Sequence, residues 1–282
     1  MQRIIVYVLS ITLFILLISL WGFYFSIRPI RIISPTTPKD FGIAYEAIEF
    51  KTADNILIKG WFIPSEHPHA KTIILLHGYP ADKGDILPSR IFLHKKYNLL
   101  FLDFRYLGES QGRYSTLGKN EALDLRAALD YLNKRGIHSV GVWGLSLGAA
   151  VALLSAPEAP EIKAIVAESS FARLDWLAYN YYQIPGLDYI IGNLLGFWAK
   201  MFITTDIKTV QPVKAVKQLN IPLLLIYSKA DQVITYKHAL LMQEATQSNA
   251  NVEFIIVNDA PHGKPIENYQ EKITDFFDTN LK

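Results

Sequence analysis

The sequence predicts an α/β domain whose mostly parallel sheet is covered by helices on both faces, preceded by an apolar N-terminal helix. Three observations carry this expectation. Short runs of Val, Ile, Leu and Phe alternate with amphipathic stretches from Thr72 onward. A pair of β-like runs joined by a polar turn comes before them, and Ile4 to Ile27 contain no charged residue.

The uncharged run is dominated by Leu, Ile, Phe, Val, Tyr and Trp. As a helix rising ~1.5 Å per residue it crosses a hydrocarbon core ~30 Å thick. Trp21, Tyr24 and Phe25 lie near its far end, where aromatic rings suit the headgroup level. A cleaved signal peptide has an apolar core of only ~7–15 residues and a small-x-small site, which is missing before Arg28. The expectation is therefore a single-pass membrane anchor over residues 1–28. Arg3 flanks one end and Arg28, Arg31 and Lys39 the other, so the side on which the remainder lies stays open. Pro29, Pro35 and Pro38 make residues 29–44 a stiff linker.

The main domain spans residues 45–282. Between Tyr45 and Pro64 two β-like runs flank Thr52-Ala53-Asp54-Asn55, a hairpin that adds an antiparallel edge. Strand-like Thr72–Leu76 ends at His77-Gly78, and Asn98–Phe104 ends at Arg105. Leu123, Leu125, Ala128, Leu129 and Leu132 give a helix over about Asn120–Lys134 its apolar side chains. Val140–Trp143 runs into Gly144–Gly148 and a small-residue helix through Ala156. Strands follow at Ile165–Ala167, Ile221–Tyr227 and Val252–Val257, with helices around Tyr236–Gln247 and Ile266–Phe277. One stretch breaks the alternation. About residues 171–212 hold Phe171, Trp176, Tyr179, Tyr181, Tyr182, Tyr189, Phe197, Trp198 and Phe202, with Pro185-Gly186 as a breaker. This reads as a small helical cap over the sheet's edge. Its rings, Trp198 included, either line an apolar pocket or pack the cap onto the sheet.

Composition narrows the function classes. A formal net charge of +2, without basic runs interleaved with aromatics, gives no nucleic-acid surface. There are no cysteines, which excludes disulfides, thiolate metal sites and a Cys nucleophile. His67 and His69 sit alone beside Pro68 without further ligands, so no metal site is expected. Without a Gly-rich phosphate loop or a nicotinamide fingerprint, no cofactor is expected either.

Gly144-Leu145-Ser146-Leu147-Gly148 matches G-x-S-x-G between a strand and a helix. Ser146 then sits on a sharp, strained turn with its hydroxyl above the sheet, and side chains two positions away on either side would strike neighbouring backbone. A neutral serine needs a base. Of seven histidines, His262 is the best placed, in a loop after the last strand that reaches the sheet's C-terminal edge. Asp231, at a strand's C-terminal end before Gln232-Val233-Ile234, is the favoured carboxylate to orient it, with Glu168 and Asp175 as rivals. The apolar pair Val233 and Ile234 would anchor that loop. Donors for an oxyanion are expected from the backbone N–H of Leu147 and, after His77-Gly78, that of Tyr79. His77 itself reads as structural, and Arg105 and Glu109 as ties for the nearby loop.

From Tyr45 to Lys282 the chain resembles the α/β-hydrolase superfamily of esterases, lipases, thioesterases and related peptidases. The residues that carry the resemblance are His77-Gly78, Asp103-Phe104-Arg105, Gly108-Glu109-Ser110, the elbow around Ser146, Asp231 and His262. Gly112-Arg113-Tyr114-Ser115-Thr116-Leu117-Gly118, with Glu121 and Asp124, is similar to a group of small-capped, often membrane-anchored members. That group often has His-Gly where Leu107-Gly108 stands, and Arg or Met beside the nucleophile where Leu145 and Leu147 stand. The resemblance implies hydrolysis of carboxylic esters or thioesters through an acyl-enzyme on Ser146, with a small-molecule or lipid acyl substrate. A serine peptidase of the same fold and an inactive hydrolase-like binding protein are the alternatives.

Overall fold

Strands β1 (Glu46–Lys51), β2 (Leu57–Ile63), β3 (Thr72–Leu76), β4 (Asn98–Leu102), β5 (Val140–Leu145), β6 (Ile162–Glu168), β7 (Leu223–Ser228) and β8 (Val252–Val257) form one sheet. The structure, a computed structural model, describes residues 1–180, 187–264 and 268–281. Tyr181, Tyr182, Pro185-Gly186 and the Ile266 start of the last helix lie outside the described residues.

The strand order is β1-β2-β4-β3-β5-β6-β7-β8. β1 pairs antiparallel with β2, and β2 with β4; every other pair is parallel. The hairpin turn closes where Thr52 Oγ1 accepts the Ile56 N–H at 2.9 Å. Of its two strands, the edge strand β1 keeps exposed positions, whereas β2 has only buried and half-buried ones. All five residues of β3 are buried, as a parallel strand covered on both faces requires.

Helices cover both faces, each with its own apolar cluster. On one side lie α3 (Glu121–Lys134), α4 (Leu147–Ser155) and α8 (Tyr236–Thr246), through residues such as Leu129, Val151 and Met242. On the other lie α2 (Lys83–Arg90) and α9 (Tyr269–Asn280), through Leu87, Ile273 and Phe277 against Trp143. Helix α2 was not expected from the sequence, because Gly84 and Pro88 erase its periodicity. It forms because Asp82 caps it, its carboxylate accepting the Asp85 N–H at 3.0 Å.

Between β6 and β7 the chain makes α5 (Leu174–Asn180), α6 (Asp188–Ile203) and the single turn α7 (Pro212–Ala215). The first two form the cap. Helix α1 (Gln2–Ile27) is 26 residues long and is, among the described residues, the one helix long and apolar enough to cross a membrane. Its first half is exposed, whereas Ser19, Phe23 and Ile27 are buried against α6. Phe23 stacks on Phe202 at 6.3 Å, and the Trp198 indole N–H donates to Ser19 Oγ at 3.0 Å. Ile27 O accepts the Ser115 N–H at 2.9 Å. Residues 29–44 contain one 3-10 turn, Pro38–Phe41, and are tied along the domain rather than leading away from it. Arg31 donates to Gly108 O at 2.7 Å, and the Ser34 N–H donates to Asp82 at 2.7 Å.

Candidate active site

The central strand β5 delivers Ser146 to the C-terminal edge of the sheet. Ser146 has φ 52° and ψ −109°, a conformation that costs a non-glycine residue ~1–3 kcal/mol. The flanking glycines make the turn possible. A Cβ on Gly144 would lie 2.3 Å from the Gly148 carbonyl carbon, and one on Gly148 would lie 2.5 Å from Leu76 O. Ser146 donates its N–H to Glu168 O at 2.8 Å, which pins the elbow to β6. Leu147 is the first residue of α4, where a backbone N–H has no acceptor within the helix. Gly78, at the end of β3, leaves only 3.4 Å between its own Cβ position and Ser146 Cβ, so the loop carrying Tyr79 lies directly against the serine.

Asp231 follows β7 and is buried to 5 % exposure. Its Oδ1 accepts the N–H groups of Val233 and Ile234 at 2.9 and 2.8 Å, and its Oδ2 accepts the His262 Nδ1–H at 2.6 Å. Burial pushes this carboxyl up, but the His262 hydrogen bond, the His262 charge and the two backbone donors together hold it below the ordinary aspartate value. Of the apolar pair that follows Asp231, only Ile234 is buried and packs the loop down; Val233 is half exposed. The next residue after His262, Gly263, would bring a Cβ 3.5 Å from Leu145 Cδ2, so the histidine's loop closes over the residue before Ser146.

The two rival acids are engaged elsewhere. Glu168 accepts from Arg90 at 3.0 Å and from the Tyr269 hydroxyl at 2.7 Å, and Asp175 pairs with Arg173. His77 is fully buried: Nδ1 faces Gly78 O at 2.7 Å and Nε2 accepts the Phe104 N–H at 3.0 Å, tying the ends of β3 and β4 together. Burial keeps it neutral, outweighing the nearby Asp103 charge.

The loop after β4 is held by buried charge pairs. Asp103 receives the Lys83 ammonium at 2.6 Å and the Glu109 N–H at 2.8 Å, and Arg105 bridges Asp54 and Asp124. Lys83 has no local sequence signal, since its partner lies 20 residues downstream.

A family model for the prolyl oligopeptidase family matches residues 109–282, the span that holds Ser146, Asp231 and His262. A model for the X-Pro dipeptidyl-peptidase (S15) family matches residues 30–187. This chain is an α/β-hydrolase of the prolyl oligopeptidase family. Among solved structures the hydrolase is similar to an esterase of Pyrococcus furiosus, with 29% identity, a TM-score of 0.77, and coverage of 91% of this chain and 100% of that one. An acylaminoacyl peptidase of Pyrococcus horikoshii, 20% identical with a TM-score of 0.66, shares the fold over 85% of this chain and 42% of its own. Among curated proteins the hydrolase is 27% identical to the uncharacterized protein YfhR of Escherichia coli, over 82% of this chain and 80% of that one. It is 26% identical to the α/β-hydrolase domain-containing protein WAV2 of Arabidopsis thaliana, over 88% and 81%.

A histidine that no local pattern singles out supports the site from below. His238 on α8 is buried, and its Nδ1 accepts the N–H of Ala172, 66 residues away, at 3.0 Å. Burial, opposed by Asp231 and Asp175, lowers its pKa to about 4. The folded protein therefore binds fewer protons than the unfolded chain between the ordinary histidine value and about pH 4. Its contribution is complete above ~6.5 and is lost as pH falls toward the folded value, amounting to about 3 kcal/mol at most. His238→Asn keeps an acceptor near Nδ1 without the protonation cost. Thermal denaturation in detergent at pH 7.5 and 4.5 should show a smaller acid-induced drop in Tm for the variant than for the parent. An equal drop would mean that His238 is not a source of acid lability.

Proposed function

We propose that the protein is a serine hydrolase that cleaves carboxylic esters or thioesters, with Ser146, His262 and Asp231 as its triad. The carrying observation is the 2.6 Å contact between His262 Nδ1 and Asp231 Oδ2 in a loop that closes over the strained Ser146 elbow. With Nδ1–H given to Asp231, Nε2 is free to act as base. Ser146 Oγ attacks the acyl carbon while its proton passes to Nε2, and the oxyanion takes hydrogen bonds from the N–H groups of Leu147 and Tyr79. Collapse breaks the bond to the leaving oxygen or sulfur, which takes the proton from His262. Water repeats the sequence on the acyl-enzyme, releasing the carboxylic acid and restoring Ser146.

The ester reading is supported by the likeness to the Pyrococcus furiosus esterase over its whole length. It is also supported by the cavity beside Tyr79, which has no charged side chain in its walls among the described residues. A peptidase that takes a free N-terminus would need a carboxylate there for the substrate's ammonium. The N-terminal helix is read as a retained, single-pass bilayer anchor. Its support is that Phe23 and Ile27 belong to the domain's own core and that the Tyr79 hydroxyl donates to Ser26 O at 2.8 Å. Loss of α1 by cleavage would expose this core.

The test is a panel of p-nitrophenyl esters, acyl thioesters and aminoacyl p-nitroanilides against the purified full-length chain. Esters or thioesters should be turned over with kcat/KM at least about tenfold above any anilide. Faster cleavage of an aminoacyl or prolyl anilide would make the protein a peptidase instead.

A further inference from the structure

The N-terminal helix does more than hold the domain at the bilayer. A cavity of about 110 Å³ lies between it and the cap, walled by Phe23 and Ile27 of α1, by Tyr79, and by Leu177, Ala178 and Leu195. Tyr79 joins this cavity to the site, because the preceding residue, Gly78, lies against Ser146. A second, larger groove of about 530 Å³ runs along the same helix past Leu17, Leu20 and Trp21 to Arg28. The two share Phe23, Ile27 and Ile203 as a common wall. From Ile27 back to Leu17 the helix climbs about 15 Å, into the exposed apolar stretch that ends in Leu9, Ile5 and Ile4. Trp21, Tyr24 and Arg28 ring the groove, and the Arg28 guanidinium lies 5.3 Å over the Tyr24 ring. Such residues settle at the headgroup level of a bilayer, the depth at which a lipid's ester carbonyl sits.

The Trp198, Phe197 and Tyr189 rings do not line the inner cavity. Trp198 packs α6 onto α1 through Ser19, Phe197 is half exposed, and Tyr189 stacks on Tyr179 at 5.1 Å. The apolar wall comes instead from aliphatic cap residues and from the membrane helix itself.

We propose that this cavity receives the acyl chain of a fatty ester dissolved in the bilayer, that α1 forms one wall of the acyl site, and that the substrate enters along α1. The proposal rests on the reading of Ser146 as nucleophile. The acyl chain lies between α1 and α5–α6 with its carbonyl carbon at Ser146, and each buried methylene strengthens binding by up to about fourfold, the equivalent of ~0.8 kcal/mol. Lengthening the acyl group should then raise kcat/KM until the cavity is full.

The test uses the full-length chain, in detergent and in phosphatidylcholine vesicles, with 4-methylumbelliferyl acetate, octanoate and oleate as probes. In detergent, octanoate should exceed acetate in kcat/KM by at least about tenfold. Ala178→Phe, which fills the cavity from the cap, should lower the octanoate-to-acetate ratio about tenfold. Phe23→Ala, which removes the wall shared by the two spaces, should move the optimum to longer chains. In vesicles, oleate placed in the enzyme's own bilayer should be cleaved at least about tenfold faster than oleate supplied in separate vesicles. A flat chain-length profile, with both variants unchanged and Ser146 still labelled by a fluorophosphonate, would overturn the acyl site while leaving the hydrolase reading intact. Equal rates from shared and separate vesicles would overturn entry from the bilayer. Failure of the intact chain to label at all would remove the nucleophile, and this proposal with it.

Discussion

Ser146→Ala should abolish covalent labelling by a fluorophosphonate and lower ester turnover by about 10⁶, the loss typical of removing a triad nucleophile. The physical basis is local. Ser146 is held by backbone strain and by its N–H bond to Glu168 O, at a turn where Gly144 and Gly148 leave no room for a Cβ. Alanine fits the same turn, so Tm should stay within a few degrees of the parent's. Parent and variant are compared by labelling, by circular dichroism and by turnover at equal folded concentration. Labelling that survives in a folded Ser146→Ala protein would place the nucleophile elsewhere.

Asp231→Asn is the second large effect, with turnover expected to fall about 10⁴ because the amide favours the wrong tautomer of His262. Asp231 gives one oxygen to two backbone N–H groups and the other to His262. Asparagine can accept from the backbone or from the imidazole, but not from both with one carbonyl oxygen. Because the carboxyl lies below its ordinary value, the pair should persist through neutral pH. By the linkage sign, its stabilisation is present above the unfolded aspartate value, ~3.9, and is lost as pH falls below that through the folded one. Glu168→Gln and Asp175→Asn are the matched controls. Glu168 is buried between Arg90 and Tyr269, so its amide should lower Tm while sparing turnover per folded molecule. A crippling Glu168→Gln beside a mild Asp231→Asn would move the orienting acid to the end of β6.

How much of this was legible beforehand depends on the range of the interactions. The strand Thr72–Leu76 has the same bounds in sequence and structure, because a buried parallel strand is written as a continuous apolar run. Val252–Val257 also keeps its bounds, as a half-buried edge strand interrupted only by the exposed Glu253. Helix α2 was not legible, since Gly84 and Pro88 weaken propensity and the stabilising cap at Asp82 resembles any loop aspartate. The cap was expected as aromatic packing or pocket lining. Phe171 is buried in the core and Trp176 packs on His238, whereas Trp198 and Phe202 face α1, Phe197 is half exposed, and Tyr179 and Tyr189 stack on each other.

By itself the sequence determined the alternating α/β architecture, the length of the N-terminal helix and the elbow around Ser146. Each is set by neighbours a few residues apart: hydrophobic period, an unbroken apolar run, and glycines where a Cβ would meet backbone. The tertiary structure decided among the three carboxylates that the sequence offered: Asp231, favoured there and 31 residues away, faces His262, while Glu168 and Asp175 are paired elsewhere. It alone decided that Ser19, Phe23 and Ile27 are the face of α1 that docks on α6. Hydropathy is nearly uniform around that helix, so only the shape and hydrogen-bonding partners offered by Trp198, Phe202 and Tyr79 break its symmetry.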